Sequence, residues 1–360
     1  MRDPHPEGGW KAFFGKIWYE GAAQPEWTWQ SSSGNDDFEP KLSLMPLIFG
    51  TVKGTFYAML FALPVSLLAA IYMSQFLRPE YKRIIKPVME IMASLPSVVL
   101  GFIAALWLAP RIENQVPALL LVTISLPLAA MALGFLWSRL SSRVRHLVPP
   151  GWEFAALLPL ILLIGFFSWE MGPVVEHWFF SWQDPATGET IGNFRLWWTH
   201  FSGLSFEQRN CLVVGFIMGF AVIPVIFTIA EDALSNVPRS LVSASLALGA
   251  SRWQTAWRVV VPTASAGIFS GIMIGFGRAI GETMIVVMAT GNTAVMDWNI
   301  FNGMRTLSAN IAVELPEAAV GSTHYRALFL GACCLFLLTF VLNTAAELLR
   351  QRLREKYKVV

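Results

Sequence analysis

Seven times along this chain of 360 residues the sequence turns apolar for a long stretch. Most stretches run about 20 residues, the length a helix needs to cross a bilayer core of about 30 Å. The blocks fall at approximately 51–75, 87–109, 117–137, 154–171, 211–231, 262–290 and 324–349. In lipid each backbone N–H and C=O has to be satisfied within its own segment, so the blocks read as helices. A proline inside one, such as Pro64, is tolerated there. The expected class is an all-α membrane protein, a polytopic helical bundle. Composition agrees, with 55% hydrophobic and 14% charged residues, where a soluble domain carries about 25% charged.

The same composition removes several functions. A net charge of +2 offers no footprint for nucleic acid. Cys211, Cys333 and Cys334 lie in apolar blocks, without metal-ligand or disulfide-scaffold spacing, and read as packing or lipid-facing residues. His5, His146, His177, His200 and His324 are scattered. No Ser-His-Asp set, metal cluster or acid pair stands out, and no Gly-x-x-x-x-Gly-Lys-Ser/Thr phosphate loop is present. An enzyme is therefore not expected, nor a cofactor or metal, and any ATP hydrolysis belongs to a separate subunit.

The polar segments set the orientation. With the C-terminus in the cytoplasm and seven alternating spans, fifteen Lys and Arg fall in cytoplasmic segments and eight on the far side. That matches the rule that cytoplasmic loops are the more basic. It places residues 1–45 outside, where seven acids face four bases. An external segment of that length has no visible means of crossing: either it crosses as an N-out tail or it follows an upstream helix in the native polypeptide, and the second is expected. The Ser31–Asp37 run, and Asp184-Pro185 with Thr187-Gly188 in the polar aromatic stretch 172–208, read as loops. The expected organisation is a periplasmic segment at 1–45 and a transmembrane domain at 46–350. Within that domain lie an inserted hairpin and periplasmic segment at 110–208 and a partner-docking loop at 235–261. A cytoplasmic tail at 351–360 ends the chain.

Three motifs carry the chemistry. From Pro238 to Pro262 the residues spell a short helix, a stop at Gly249, and a second short helix feeding a span that starts at Pro262. Leu241, Ala244, Ser245 and Leu248 share one face. A semi-exposed helix pair between two spans suits a soluble partner. The second motif is Gly275-Phe276-Gly277-Arg278-Ala279-Ile280-Gly281-Glu282-Thr283, inside the sixth block. A charge at bilayer depth costs about 2.5–3.5 kcal/mol on insertion scales. Four residues apart, Arg278 and Glu282 are expected to share a helix face and pair. They form either a structural ion pair or the lining of a path in which Arg278 receives an anion. Gly275, Gly277 and Gly281 leave room for a helix or substrate. The third motif, Leu95-Pro96-Ser97, breaks the second span at Pro96. There Glu90 is expected to pair with Lys86.

The stretch 238–262 resembles the EAA loop of ABC importer permeases. Ala244, Gly249 and Pro262 keep its spacing, while Ser243 stands where Glu is usual, Ser245 replaces an Ala, and Val259 and Val261 replace Ile and Leu. The Gly-Arg-Ala-Ile-Gly-Glu-Thr string is similar to the signature of phosphate permeases of the PstC type. Pro96-Ser97-Val98-Val99-Leu100-Gly101 is similar to that family's second core span. The resemblance covers about 46–108 and 209–350, with 117–208 as an insertion found in an enlarged subgroup that also carries a long upstream region. It implies a MetI-like type I importer core, with five spans here plus the hairpin. It implies Arg278, Glu282, Thr283, Gly281 and Gly277 on the substrate path, a helix break at Pro96 and Ser97, and ATPase coupling at Ser243, Ala244, Ser245, Gly249 and Pro262. The implied partners are a second homologous permease in a heterodimer, a dimer of cytoplasmic ATP-binding subunits and a periplasmic phosphate-binding protein. The binding protein would meet loop 289–298 and the Ala309–Glu314 string. The lipid bilayer of a bacterial inner membrane completes the setting. Two alternatives stay open: a permease for another oxyanion, and a secondary anion transporter or channel.

Overall fold

The computed structural model describes residues 8–19, 21–32, 39–141, 148, 153–183 and 190–356. Most of the Ser31–Asp37 loop, and the Asp184-Pro185 and Thr187-Gly188 turns, lie outside them. Four helices are long and apolar enough to cross a membrane. They are α2 (Met45–Gln75), α6 (Val116–Arg139), α10 (Cys211–Ser235) and α17 (Thr323–Lys356). Three bent helix pairs bring the number to seven if each pair is one span. The helix α3 (Pro79–Ala93) turns by 84° into Ser97–Glu113, which ends in α5 (Ala109–Glu113), α7 (Glu153–Glu170) turns by 42° into α8 (Gly172–Phe179), and Arg252–Thr263 turns by 71° into α14 (Ser265–Ile280). All seven apolar blocks are thus helical, and the fold is the expected all-α bundle.

Two compact units divide the chain, residues 1–106 with 209–360, and residues 107–208. In the first, α2 and α10 pack along each other, α14 lies on α10, and α17 on α14. Ala58, Ala62, Met218 and Ala221 are buried in this core. The segment before α2 has a fold of its own. A short helix, α1 (Trp10–Phe14), precedes the antiparallel pair β1 (Trp29–Gln30) and β2 (Lys41–Leu42). Trp29, Leu42 and Leu44 then join Leu47, Leu307, Ala327 and Leu328 in one buried cluster. Helix α17 continues to Lys356, into the expected tail at 351–360. Its Arg, Gln, Leu, Glu and Lys residues are good helix formers.

In the second unit α6 and α7 form the hairpin, joined by a Ser125 Oγ–Ser168 Oγ hydrogen bond of 2.7 Å. Their apolar side chains are largely exposed, as helices facing lipid require. A cap follows, made of α8, the pair β3 (Ser181–Gln183) and β4 (Thr190–Gly192), and α9 (Phe194–Ser202). Phe180 packs edge-on against Phe194 and Trp197, and Trp182 stacks on His200 with ring centres 4.4 Å apart. Glu113 receives hydrogen bonds of 2.6 Å from both Arg195 and Gln208.

Candidate functional site

The sixth span is interrupted at its charged motif. Helix α14 ends at Ile280, the N–H of Gly281 closes it on the Gly277 carbonyl, and α15 (Met284–Ala289) begins after a gap of three residues. Glu282 therefore does not continue the helix that carries Arg278, and the expected pair does not form. The Glu282 carboxylate turns to the new helix and accepts from the Ile285 N–H at 3.3 Å. Its backbone carbonyl accepts from Ser308 Oγ at 3.0 Å, and Thr283 Oγ1 donates to the Gly281 carbonyl at 3.1 Å. Arg278, half-buried in the last turn of α14, joins no ion pair among the described residues. At a helix C-terminus its charge complements the backbone dipole. The Gly277 side of α14 looks toward the Asn343 carboxamide of α17. Below it, Phe269, Ser270, Met273 and Ile274 face Asn343, Glu347 and Arg350 across a cleft of about 300 Å³.

The second break stands where proline puts it. Ser94 closes α3, Pro96 is extended with φ −61° and ψ 126°, and its carbonyl accepts the N–H groups of Val99 and Leu100 as α4 (Ser97–Ile103) starts. Helix α4 packs on α15, so the structure brings the Pro96 break and the Gly281–Thr283 break together through their following helices. Lys86 does not pair with Glu90. It reaches α10 instead, 2.8 Å from Glu231 and 3.0 Å from Asp232, because a buried carboxylate holds a cation more firmly than an exposed one does.

Between α10 and α14, α11 (Arg239–Ala247) has no buried residue. Gly249 ends it with φ +87°, a conformation that costs any residue with a Cβ about 1–2 kcal/mol. The N–H of Ala250 closes back on the Ser245 carbonyl at 3.2 Å. Ser251 and Gln254 form a reciprocal cap for α12 (Arg252–Thr255). The chain then continues as a π-turn at Ala256–Val260 and α13 (Val261–Thr263). The second short helix thus runs through Pro262, and the span begins at Ser265 rather than at the proline. Pro262 has no N–H for the preceding turn, which loosens there into the wider π form. Of the expected docking residues, Ser243 and Ala244 are exposed, and Leu248 beside them is 90% exposed. Ser245 points inward and bonds Thr255 Oγ1 at 3.0 Å, joining the two short helices.

Three charged sites were not singled out by sequence reasoning. Lys53, fully buried on α2, is 3.0 Å from Asp297, which also accepts from Asn302 Nδ2 at 2.6 Å. Glu314, at the end of α16 (Leu307–Glu314), receives Arg305 at 2.6 Å, Ser31 at 2.8 Å and Trp29 Nε1 at 3.1 Å, with His324 Nε2 2.8 Å away. Glu231 is ringed by Lys86, Lys82 and Ser235. A lysine inside an apolar block was a usable signal for the first, since such a charge has to find a counter-ion. Glu231 sits at a block edge and Glu314 in the stretch between two blocks, where sequence carries no such demand.

Comparison with known proteins agrees with this architecture. The chain is 28% identical over 250 residues to the phosphate transport system permease protein PstC of Xylella fastidiosa, covering 69% of this chain and 75% of that one. It is 27% identical over 323 residues to PstC of Mesorhizobium japonicum, covering 90% and 77%. It is 24% identical over 305 residues to the probable ABC transporter permease protein YqgH of Bacillus subtilis, covering 85% and 71%. Residues 62–355 match the family described as binding-protein-dependent transport system inner membrane component. That family makes the chain a multi-pass membrane subunit of an importer, not an enzyme, and implies work with a substrate-binding protein and an ATPase. With four to seven apolar helical spans and a match over most of its length, the chain belongs to the family of binding-protein-dependent transport system inner membrane components.

Proposed function

We propose that the chain is the membrane-spanning permease subunit of an ATP-driven phosphate importer. The observation that carries this reading is Arg278, without an ion-pair partner among the described residues and set beside a helix break inside a membrane span. A bare guanidinium at that depth is costly, and a bound phosphate supplies the oxygens that match its planar fork. Gly277 and Gly281 leave the approach open, and Thr283 offers a hydroxyl at the break. The substrate itself is supported by the relatives named as phosphate transport permeases.

Basic residues orient the subunit with its C-terminus in the cytoplasm. On that side the exposed Ser243–Gly249 end of α11 docks a dimer of ATP-binding subunits. On the other side the segment before α2 and the loop before α16 meet a periplasmic phosphate-binding protein. A second, homologous permease completes the path, and residues 110–208 form an insertion.

The test is reconstitution of the permease with its partner subunits in liposomes, following labelled phosphate. ATP-dependent uptake is expected, outcompeted by phosphate but not by sulfate. Arg278→Ala should lower it about tenfold or more, as expected for a lost hydrogen bond to a charged group. Uptake without ATP or the ATPase would overturn the importer reading, and equal competition by sulfate would overturn the substrate. Wild-type uptake by the Arg278→Ala variant would remove that residue from the path.

A further inference from the structure

We infer that Lys86 and Glu231 are positioning residues for transport: their contact carries movement of the ATPase-docking segment to the Arg278 break by way of α3 and the Pro96 hinge. The inference rests on the proposed function and adds a second route to it.

The contact lies at the end of α10, only a few residues before α11. Glu231 is 1% exposed. A buried carboxylate at the foot of an apolar helix has to be paired. Lys86 Nζ stands 2.8 Å from it, Lys82 Nζ 3.5 Å, and Ser235 Oγ donates at 2.6 Å. Lys86 also donates to Asp232 at 3.0 Å, and Lys82 donates to the Ser74 carbonyl near the end of α2 at 3.2 Å. The two lysines are one helical turn apart on α3, so the same face of that helix gathers the ends of α2 and α10.

Apolar packing does not fasten α3. It buries no residue, and Ile84 and Ile91 are each 64% exposed. Its hold on α10 is chiefly ionic. Displacement of α11 by a docked ATPase acts first on the foot of α10, and through Glu231 on α3.

At its far end α3 turns by 84° through Leu95 and Pro96 into α4. Helix α4 touches α15 without slack. A Cβ on Gly101 would come within 3.0 Å of Met288 Cβ, 3.1 Å of the Met284 carbonyl oxygen and 3.3 Å of Ile285 Cα. Closely packed elements move together rather than deform. Helix α15 starts just after Glu282 and Thr283. The other side of that break, α14 with Arg278, follows directly from the second docking helix through the 71° bend. The Gly281–Thr283 break is therefore where two routes from the docking segment meet, one ending on each flank. Moving one flank against the other changes the surroundings of Arg278.

The experiment uses the whole transporter with its binding protein in liposomes, reading phosphate moved per ATP hydrolysed. Lys86→Ala should leave binding-protein-stimulated hydrolysis near wild type and lower phosphate per ATP about three- to tenfold, the range seen when residues carrying coupling are altered. Lys86→Arg should restore the ratio. Pro96→Ala should lower it too, and the double variant should lose no more than either single one, as residues in one chain of contacts are non-additive. An unchanged ratio in Lys86→Ala overturns the inference. So does a proportional fall in uptake and hydrolysis that tracks the amount of assembled complex, which marks a merely structural tie. If Lys86→Ala does not assemble, spin labels at the exposed positions Ile84 and Phe102 in an otherwise wild-type protein decide. Their separation should shift by about 2 Å or more between the nucleotide-free and ATP-bound states, and a constant separation overturns the inference. Absence of ATP-dependent uptake in the wild type would instead count against the proposed function.

Discussion

Lys53 and Asp297 show how burial makes an ion pair asymmetric. Lys53 is 0% exposed, whereas the Asp297 side chain is 26% exposed and keeps Asn302 and the Asn299 N–H as donors. Removing the lysine leaves a carboxylate that water and two donors still satisfy. Removing the aspartate leaves a buried cation with nothing opposite. Asp297→Ala should cost about 3–5 kcal/mol and Lys53→Met markedly less, read as thermal unfolding of the purified protein in detergent. The reverse order would mean that Lys53 is hydrated. Glu314 works at the same scale but ties distant segments, holding Trp29 and Ser31 against Arg305 and His324. Glu314→Ala should free the β1–β2 segment, seen as faster proteolysis before residue 45 with the spans intact. An unchanged cleavage rate would show that the Trp29–Leu42–Leu44 cluster suffices alone.

At the scale of elements, breaks matter more than helices. Pro96 and Gly249 could be read from the chain because each acts locally. Proline removes a donor and clashes with the preceding turn, and glycine adopts a positive φ that other residues resist. Gly249→Val should therefore distort the end of α11 at a local cost of about 1–2 kcal/mol. The expected result is weaker co-purification of the ATP-binding subunits with little change in the unfolding temperature of the α2–α10 core. Full co-purification would place docking elsewhere. The bends at Ala264 and Gly281 were not legible in the same way. Pro262 was read as the start of a span, yet it sits inside the preceding helix, and the spacing of Arg278 and Glu282 suggested a pair that the end of α14 forbids. Both bends depend on where the next helix packs, α14 on α10 and α15 on α4.

At the scale of the molecule, the orientation proposed from charge is open to a direct check. A reporter fused after Lys356 should be active only as a cytoplasmic form, and a cysteine introduced at Thr190 should react with an impermeant maleimide added outside. The opposite labelling pattern would invert the subunit and remove the docking role of α11. The seven apolar blocks, their helical state, the all-α class and the breaks at Pro96 and Gly249 followed from the sequence alone, because hydrogen-bond satisfaction in lipid and the stereochemistry of proline and glycine act within one segment. The partners of Lys53, Lys86 and Glu314, the fold of the segment before α2 and the end of α14 before Glu282 did not. Each of these is settled by groups hundreds of residues apart in some cases, brought together only when the helices pack, and a buried charge takes whichever counter-ion that packing sets within about 4 Å of it.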